Sequence, residues 1–414
     1  MRLHLRAPAA AALATAITAS VLAAGCGGGG GSSSFQTMGM LGVPSPALLG
    51  VNLLFVDAAV DGHAGGRMLV DTGSPFTLVD PTAFAGLTLP SQPEVNVAIT
   101  FGAITVDSVP TLPVSVATMD KLELGGIAGG NMLEAFSTTF DYRAQTLELG
   151  SGAAPTGVEQ PGAQVAFQLA GGGRAQVDNG TVAFPATRVP VTVNVEGTDH
   201  PFILDTGASE ITVRSSLFDT LTADGRASVA GFPVTTASGP TTGQVTRIRS
   251  MSVGGEAVTG LAAMTIGDML LDTIAGEIGQ PLDGLLGGGY LREFLVTVDY
   301  PHRTLRLQRY DTLDFIVDEF KCVGISLGLN ATGACVVAVY LGTDAAQKGI
   351  APGDVLLSVD NQAVDPLDEL GAERALEGTV GTTKWLGFGT ATSPDVSGKQ
   401  IAVRVDDLVP VPVN

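Results

Sequence analysis

The sequence predicts a mainly β fold: two copies of one β-rich unit, followed by a smaller unit of mixed α and β character. Three observations carry this. The stretch Leu69-Val70-Asp71-Thr72-Gly73-Ser74 returns as Ile203-Leu204-Asp205-Thr206-Gly207-Ala208, and each is an apolar run that stops at Asp-Thr-Gly. A longer order of features repeats behind both copies. Beyond about Asp314 the pattern changes to a short helix, a Pro-Gly turn and a strand. The 55 glycines among 414 residues, with few charged residues, suit short strands joined by many turns.

Residues 1–26 read as a secretion signal. Arg2 and Arg6 form a charged start, Ala9 to Ala24 a small apolar middle, and Leu22-Ala23-Ala24-Gly25-Cys26 the end. The stretch is short and Ala-rich and five glycines follow, which favours cleavage over a membrane span. The terminal small-small-Cys pattern resembles a bacterial lipoprotein signal. That resemblance implies a lipidated Cys26 as the first mature residue. Gly27 rather than Asp after it implies the periplasmic face of the outer membrane, if the cell is Gram-negative. Residues 27–46 are a Gly/Ser-rich tether.

The first unit spans 47–150, with strand-like Val51–Val60, Arg67–Val70 and Val95–Val106, the last with a turn at Phe101-Gly102. Apolar residues resume after its Asp-Thr-Gly as Phe76-Thr77-Leu78-Val79. This reads as a buried strand, a tight turn carrying a carboxylate, and a strand leaving. Gly lets the turn form and lets another backbone come close. Then come Gly126-Ile127-Ala128-Gly129-Gly130-Asn131-Met132-Leu133, Thr139–Arg143 and Thr146–Leu149. Residues 151–164, rich in Gly, Pro and Ala, are a linker. The second unit, 165–312, opens with the alternating strand Val189–Val195 and a turn pivoting on Gly197. It follows the same order: Asp-Thr-Gly, Ile211-Thr212-Val213, Gly284–Leu291, Thr297–Pro301, Thr304–Leu307. Both units therefore run apolar pair, Gly, short helix, strand, Asp-Tyr turn, strand, with one aspartate each.

A single Asp-Thr-Gly is weak, since roughly 0.3–0.4 chance copies are expected from this composition. Two copies inside a longer repeat are a different matter. Two carboxylates brought face to face can share one proton, so that one is an acid and the other a base at the same pH. Over about residues 49–312 the chain resembles the pepsin/retropepsin class of aspartic proteases, in which Asp-Thr-Gly is followed by a hydrophobic-hydrophobic-Gly segment. The resemblance implies two retropepsin-like β-barrel lobes with pseudo-two-fold symmetry, a cleft between them, and a catalytic dyad of Asp71 and Asp205. Thr72 and Thr206 would hydrogen-bond across the junction, with Gly73, Ser74, Gly207 and Ala208 completing the two turns. Both units sit in one chain, so no homodimer is needed. A flap is expected between Asp71 and Gly126, where pepsins carry a Tyr and this chain has none. Thr235–Gly243 is the second lobe's flap candidate, with an ordinary hairpin loop as the alternative. In pepsin-like enzymes a hydroxyl just after Asp-Thr-Gly bonds the aspartate. Ser74 opposite Ala208 therefore makes Asp71 the expected anion and Asp205 the proton holder.

Residues 344–360, Asp344-Ala345-Ala346-Gln347-Lys348-Gly349-Ile350-Ala351-Pro352-Gly353-Asp354-Val355 onward to Asp360, closely resemble bacterial PDZ domains. The resemblance covers about 316–410. It implies a carboxylate-binding loop at Cys322-Val323-Gly324-Ile325, a flanking helix over Asp365–Gly378 and a closing strand at Gln400–Val405. In this mode a C-terminal or internal peptide tail adds as a strand.

With Cys26 lipidated, Cys322 and Cys335 remain. They flank an expected hairpin, and sequence leaves open whether they form a disulfide or two small buried apolar side chains. His63, His200 and His302 are scattered, and no spacing resembles a zinc site, so neither metal nor organic cofactor is expected. Gly324-Ile325-Ser326-Leu327-Gly328 fits Gly-x-Ser-x-Gly, but no His follows it. Gly284–Gly289 has no following Lys and is no nucleotide loop. The formal charge of −20, more negative once Arg2 and Arg6 leave, disfavours nucleic acid.

The expected protein is an extracytoplasmic, lipid-anchored aspartic endopeptidase acting on protein or peptide substrates, with a PDZ domain that recruits a substrate or partner. Its rival is a non-catalytic envelope lipoprotein that holds peptides. A protease that cuts its own tether is a third reading.

Overall fold

The computed structural model describes residues 35–50, 52–115, 124–151, 162–177, 180–236, 239–313, 318, 320–330, 333–365, 369–389 and 400–412. The secretion signal with Cys26, the tether up to residue 34, most of the linker and Ala237–Ser238 of the expected flap lie outside them. Among the described residues no helix is long and apolar enough to cross a membrane.

Each lobe is built the same way. In the first, strands Leu53–Val60 and His63–Val70 form a hairpin with Phe55 opposite Leu69. The chain turns at Asp71–Ser74 and leaves as Thr77–Val79. That strand lies parallel to Ile104–Pro113 and antiparallel to Leu124–Ala128, which itself runs parallel to His63–Val70. In the second, Pro190–Val195 and Thr198–Leu204 make the hairpin, with Pro190 opposite Ile203. Ile211–Val213 leaves the turn, parallel to Glu256–Thr265 and antiparallel to Gly284–Leu286, which runs parallel to Thr198–Leu204. The order apolar-apolar-Gly then short helix appears as Gly130–Leu133 and Gly288–Leu291.

One sheet joins the lobes. Its strands run Ser45–Gly50, Thr146–Gly150, Ser137–Asp141, Phe294–Asp299, Thr304–Arg309, Ala163–Ala166. The two central strands pair Thr139 with Thr297, and their hydroxyls are 3.0 Å apart. Equivalent residues meeting each other mark the pseudo-two-fold axis. Alternation in these strands buries Phe140, Leu147, Val296 and Leu305 in a core shared by both lobes.

The tether ends earlier than the composition implies. Thr37–Gly39 is already a strand, pairing with Ile104–Val106, and Gly42 N–H donates to Leu149 O at 2.9 Å. The 95–106 segment is two strands, Val95–Phe101 and Ile104–Pro113, because Gly102 takes φ +52° in the expected turn.

Two features break the symmetry. Ser228–Thr236 and Gly239–Val253 make a long hairpin in the second lobe, containing the flap candidate. Its first strand has no counterpart among the described residues before Val95. Ahead of Pro190, a hairpin of Gly173–Val177 and Gly180–Phe184 crosses to the first lobe. There Ala175, Val182 and Phe184 pack on Leu53, Phe55, Leu69, Phe76 and Ile127. In the second lobe the helix Met269–Ile278 covers the corresponding face, through Leu271 and Ile274 on Ile203 and Leu285.

The C-terminal unit is a five-stranded antiparallel sheet ordered Ile325–Asn330, Gly333–Val339, Val355–Val359, Thr383–Gly389, Gln400–Arg404, with Gln362–Ala363 paired beside it. The helix Asp344–Gln347 is capped by Thr343, whose hydroxyl accepts from Ala346 N–H at 3.4 Å. Glu369–Leu376 forms the second helix. This unit docks on the long hairpin. Tyr340 stacks on Phe232 at 5.9 Å and 15°, and Phe320 lies 5.4 Å from the same ring. Arg247 holds both Asp318 oxygens at 2.6 and 2.7 Å and donates to Val409 O at 2.8 Å. Removing the central ring, by Phe232→Ala, is expected to cost about 3–4 kcal/mol by lost burial and a cavity. Urea denaturation measures it. A loss under about 1 kcal/mol would mean the seam is not packed as described.

Candidate active site

The turns carrying Asp71 and Asp205 meet at the lobe junction. Asp71 is fully buried and Asp205 is 4 % exposed. Each turn is locked to the other by a threonine. Thr72 Oγ1 donates to Leu204 O (3.0 Å) and accepts from Thr206 N–H (3.1 Å). Thr206 Oγ1 donates to Val70 O (2.7 Å) and accepts from Thr72 N–H (3.0 Å). Four buried hydrogen bonds thus satisfy both hydroxyls and two turn N–H groups, where an unmet group would cost about 1–3 kcal/mol.

Glycine is required on both turns by proximity. A Cβ on Gly73 would stand 2.4 Å from Asp205 Cγ, and one on Gly207 2.3 Å from Asp71 Cγ. Each carboxyl therefore lies against the opposing turn, and the two are hydrogen-bonded to one another.

The dyad is not electrostatically symmetric. Asp71 Oδ1 accepts from Gly73 N–H at 2.8 Å and Ser74 N–H at 3.1 Å. Asp205 Oδ1 accepts from Gly207 N–H at 3.0 Å, while Ala208 N–H turns to the backbone carbonyl of Asp205. Burial pushes the Asp205 carboxyl well above the usual carboxylate range. The Asp71 charge and the bond between the carboxyls push it further, against Arg188 and Gly207 N–H. These surroundings favour the protonated form of Asp205.

The expected source of that asymmetry needs correcting. The Ser74 hydroxyl donates to Phe76 O at 2.8 Å, so its proton is not directed at Asp71. The Ser74 backbone N–H makes the contact instead, and Ala208 differs because its N–H points elsewhere.

The raised Asp205 value has a consequence for stability. As pH rises above the carboxyl value of the unfolded chain, the unfolded state releases this proton and the folded state keeps it. Stability therefore falls with pH until Asp205 itself ionises. Asp205→Asn removes this dependence. Its melting temperature relative to the natural chain should climb steadily from about pH 4 to pH 7, the window above the ordinary Asp value. A constant difference across that window would contradict a raised Asp205.

Residues 189–290 match the family model for aspartyl proteases. The matched segment contains the second Asp-Thr-Gly and the Gly284–Leu286 strand that supports it. Comparison with curated proteins gives no match. Among solved structures, the crystal structure of aspartic proteinase from Irpex lacteus is similar at 15% identity, over 65% of this chain and 97% of that one, with a TM-score of 0.38.

Sequence reasoning missed the polar ties that cross the junction. Arg188 is buried. It donates through Nη1 to Gly73 O and through Nε and Nη2 to Glu277 Oε2 at 3.1 and 2.7 Å. On the other side Asn52 Nδ2 donates to buried Glu210 at 2.6 Å and Asn52 Oδ1 accepts from Arg292. The available signal was a single polar residue just ahead of each apolar strand.

In the C-terminal unit, Gly324 of the segment expected to bind a carboxylate takes φ +79°. Two of the segment's donors are used: Val323 N–H goes to Leu376 O at 3.2 Å and Gly324 N–H to Cys322 Sγ at 3.4 Å. Ile325 opens the edge strand. Cys322 and Cys335 are not bridged. Both are buried, Cys322 on the short strand Lys321–Cys322 paired with Asp406–Asp407, Cys335 inside the Ile325–Asn330/Gly333–Val339 hairpin. Burial pushes the Cys322 thiol up to about 12, an inert state.

Proposed function

We propose that this protein is an aspartic endopeptidase in which a water held between Asp71 and Asp205 attacks a peptide carbonyl. One observation carries the reading: two buried carboxyls, each against the other's turn glycine, with the Asp205 carboxyl pushed toward its protonated form. Asp71, ionised, takes a proton from the attacking water. Asp205 gives its proton to the carbonyl oxygen, so the tetrahedral intermediate forms neutral. In collapse Asp71 gives the water's proton to the leaving amine, and ionised Asp205 takes the proton of one hydroxyl. The C–N bond breaks, and the dyad again holds one proton, on Asp205. Peptide-library cleavage by the protein from Phe35 onward, scanned from about pH 3 to 8, tests it. Cleavage that requires both aspartates supports the reading. Absence of cleavage at every pH would return the balance to a peptide-binding lipoprotein.

Residues 316–410 are, in this proposal, a PDZ domain for substrate or partner recruitment. Support comes from the helix, Pro-Gly turn and strand at 344–359, and from Ile325–Asn330 as an edge strand beside the Glu369–Leu376 helix. The occupied N–H groups of Val323 and Gly324 favour an internal peptide strand over a free C-terminus. Matched peptides with free and amidated C-termini should therefore bind within about threefold of each other, and a preference above about tenfold for the free acid would exclude this mode. Cys26 is the proposed lipid anchor, on the sequence pattern alone. Loss of fatty-acid labelling in Cys26→Ser cells is the expected outcome.

A further inference from the structure

Arg188 stands at an asymmetric place in a pseudo-symmetric site. Phe55 and Pro190 occupy equivalent positions, opposite Leu69 and Ile203. Stepping back two residues, the counterpart of Arg188 in the first lobe is Leu53. Asn52 and Thr187 confirm the register, since a Cβ on Gly288 would strike the first and one on Gly130 the second. At this position the second lobe thus places a buried cation beside the junction where the first lobe has Leu53.

Its target matters more than its burial. Arg188 Nη1 donates to Gly73 O. The N–H on the other end of that same peptide group, Ser74 N–H, donates to Asp71 Oδ1 at 3.1 Å. The Gly73–Ser74 amide therefore links the guanidinium to the carboxylate. A cation on an amide oxygen polarises the amide and strengthens its N–H as a donor. It also fixes the plane of that amide. On the opposite turn the equivalent position is Leu53, which carries no charge, and Ala208 N–H points to the backbone carbonyl of Asp205 instead. Glu277, on the helix Met269–Ile278, takes Nε and Nη2 and sets the angle of the fork. The Arg188 backbone is held by a reciprocal bridge with Ala170, at 3.0 and 3.2 Å. Both side chains are shielded, at 4 % and 13 % exposed, so the pair is screened little by solvent.

We propose that Arg188, held by Glu277, is a positioning residue that keeps Asp71 the ionised member of the dyad by acting through the Gly73–Ser74 peptide group. The charged or titratable groups facing Asp71 are Asp205 from the second turn, Tyr300 after the strand Phe294–Asp299, and Arg188 through this amide. Asp205 opposes ionisation of Asp71, and Tyr300, raised by burial and by the Asp71 charge, stays neutral. Gly73 N–H, Ser74 N–H and Arg188 through this amide favour ionisation. The Arg188 charge also acts on Asp205, so what is specific to Asp71 is the amide link.

The inference rests on the proposed peptidase only for its kinetic readout, and the decisive measurement needs no substrate. In the full chain carrying Asp205→Asn, one dyad carboxyl remains. Its 13C carboxyl NMR titration is followed with Arg188 intact and with Arg188→Leu/Glu277→Leu, which removes both charges and leaves neither unpaired. The midpoint is expected to move to higher pH in the double replacement. Arg188→Lys keeps the charge without the fork and should shift it less. With both aspartates present, kcat/KM should fall about tenfold in Arg188→Lys, from displacement of the turn. Should Arg188→Leu/Glu277→Leu not fold, Arg188→Gln/Glu277→Gln, which also removes both charges but keeps hydrogen-bonding groups, gives the same test, again with an upward shift. An unmoved or lowered midpoint in a folded variant overturns the inference, whether or not the protein cleaves peptides. An upward shift without any cleavage would sustain it while contradicting the peptidase.

Discussion

Asp71→Asn and Asp205→Asn are each expected to reduce peptide cleavage by roughly 10³-fold or more, with the fold retained. The size follows from the division of labour. An amide at 71 cannot accept the water's proton, and one at 205 cannot give an acidic proton to the carbonyl oxygen. Neither loss can be made up by the partner, because each carboxyl is held in place by its own turn N–H groups. Folding survives because Asn preserves the volume and still accepts through its Oδ1. The combined variant should be little worse than either single one, since the two groups act as a unit. Circular dichroism and steady-state cleavage, measured on the same preparations, check both halves.

Gly73→Ala and Gly207→Ala are expected to be almost as damaging, for a steric reason. The new methyl would stand 2.4 Å from Asp205 Cγ in the first case and 2.3 Å from Asp71 Cγ in the second. Carbon atoms in contact prefer about 3.5–4.0 Å, so the opposing carboxyl must withdraw by more than 1 Å. A displacement of that size costs about 10² in rate by itself. It also breaks the bond between the carboxyls and strains four threonine hydrogen bonds beneath them. The expected result is a fall of about 10²–10³ in kcat/KM together with a lower melting temperature. A Gly73→Ala enzyme of normal activity would mean the carboxyls do not face each other's turns.

The repeated lobes were legible because their cause is local. An apolar run ending in Asp-Thr-Gly specifies a strand and turn wherever it occurs, and the second copy fixes the pairing of the two aspartates. The Gly102 and Gly197 turns were visible for the same reason. What could not be read depends on partners distant in sequence. The Ser74 hydroxyl has a choice of acceptors, and the turn geometry gives it Phe76 O rather than Asp71. Arg188 gave no signal of its partner in the sequence, because Glu277 is 89 residues away. The strand Thr37–Gly39 looked like tether because its partners lie beyond residue 100 and its side chains stay exposed. In the C-terminal unit the Pro-Gly turn was plain. The capture of Val323 N–H by the end of the Glu369–Leu376 helix depended on how that helix docks.

The most direct test of the shared-proton dyad is the pH dependence of kcat/KM on a single peptide drawn from the library. A bell is predicted, with an acid limb where Asp71 gains a proton and an alkaline limb where Asp205 loses one, because only the singly protonated pair carries out the reaction. A profile that is flat, or that rises through one ionisation near neutrality and stays high, would contradict two carboxyls sharing one proton.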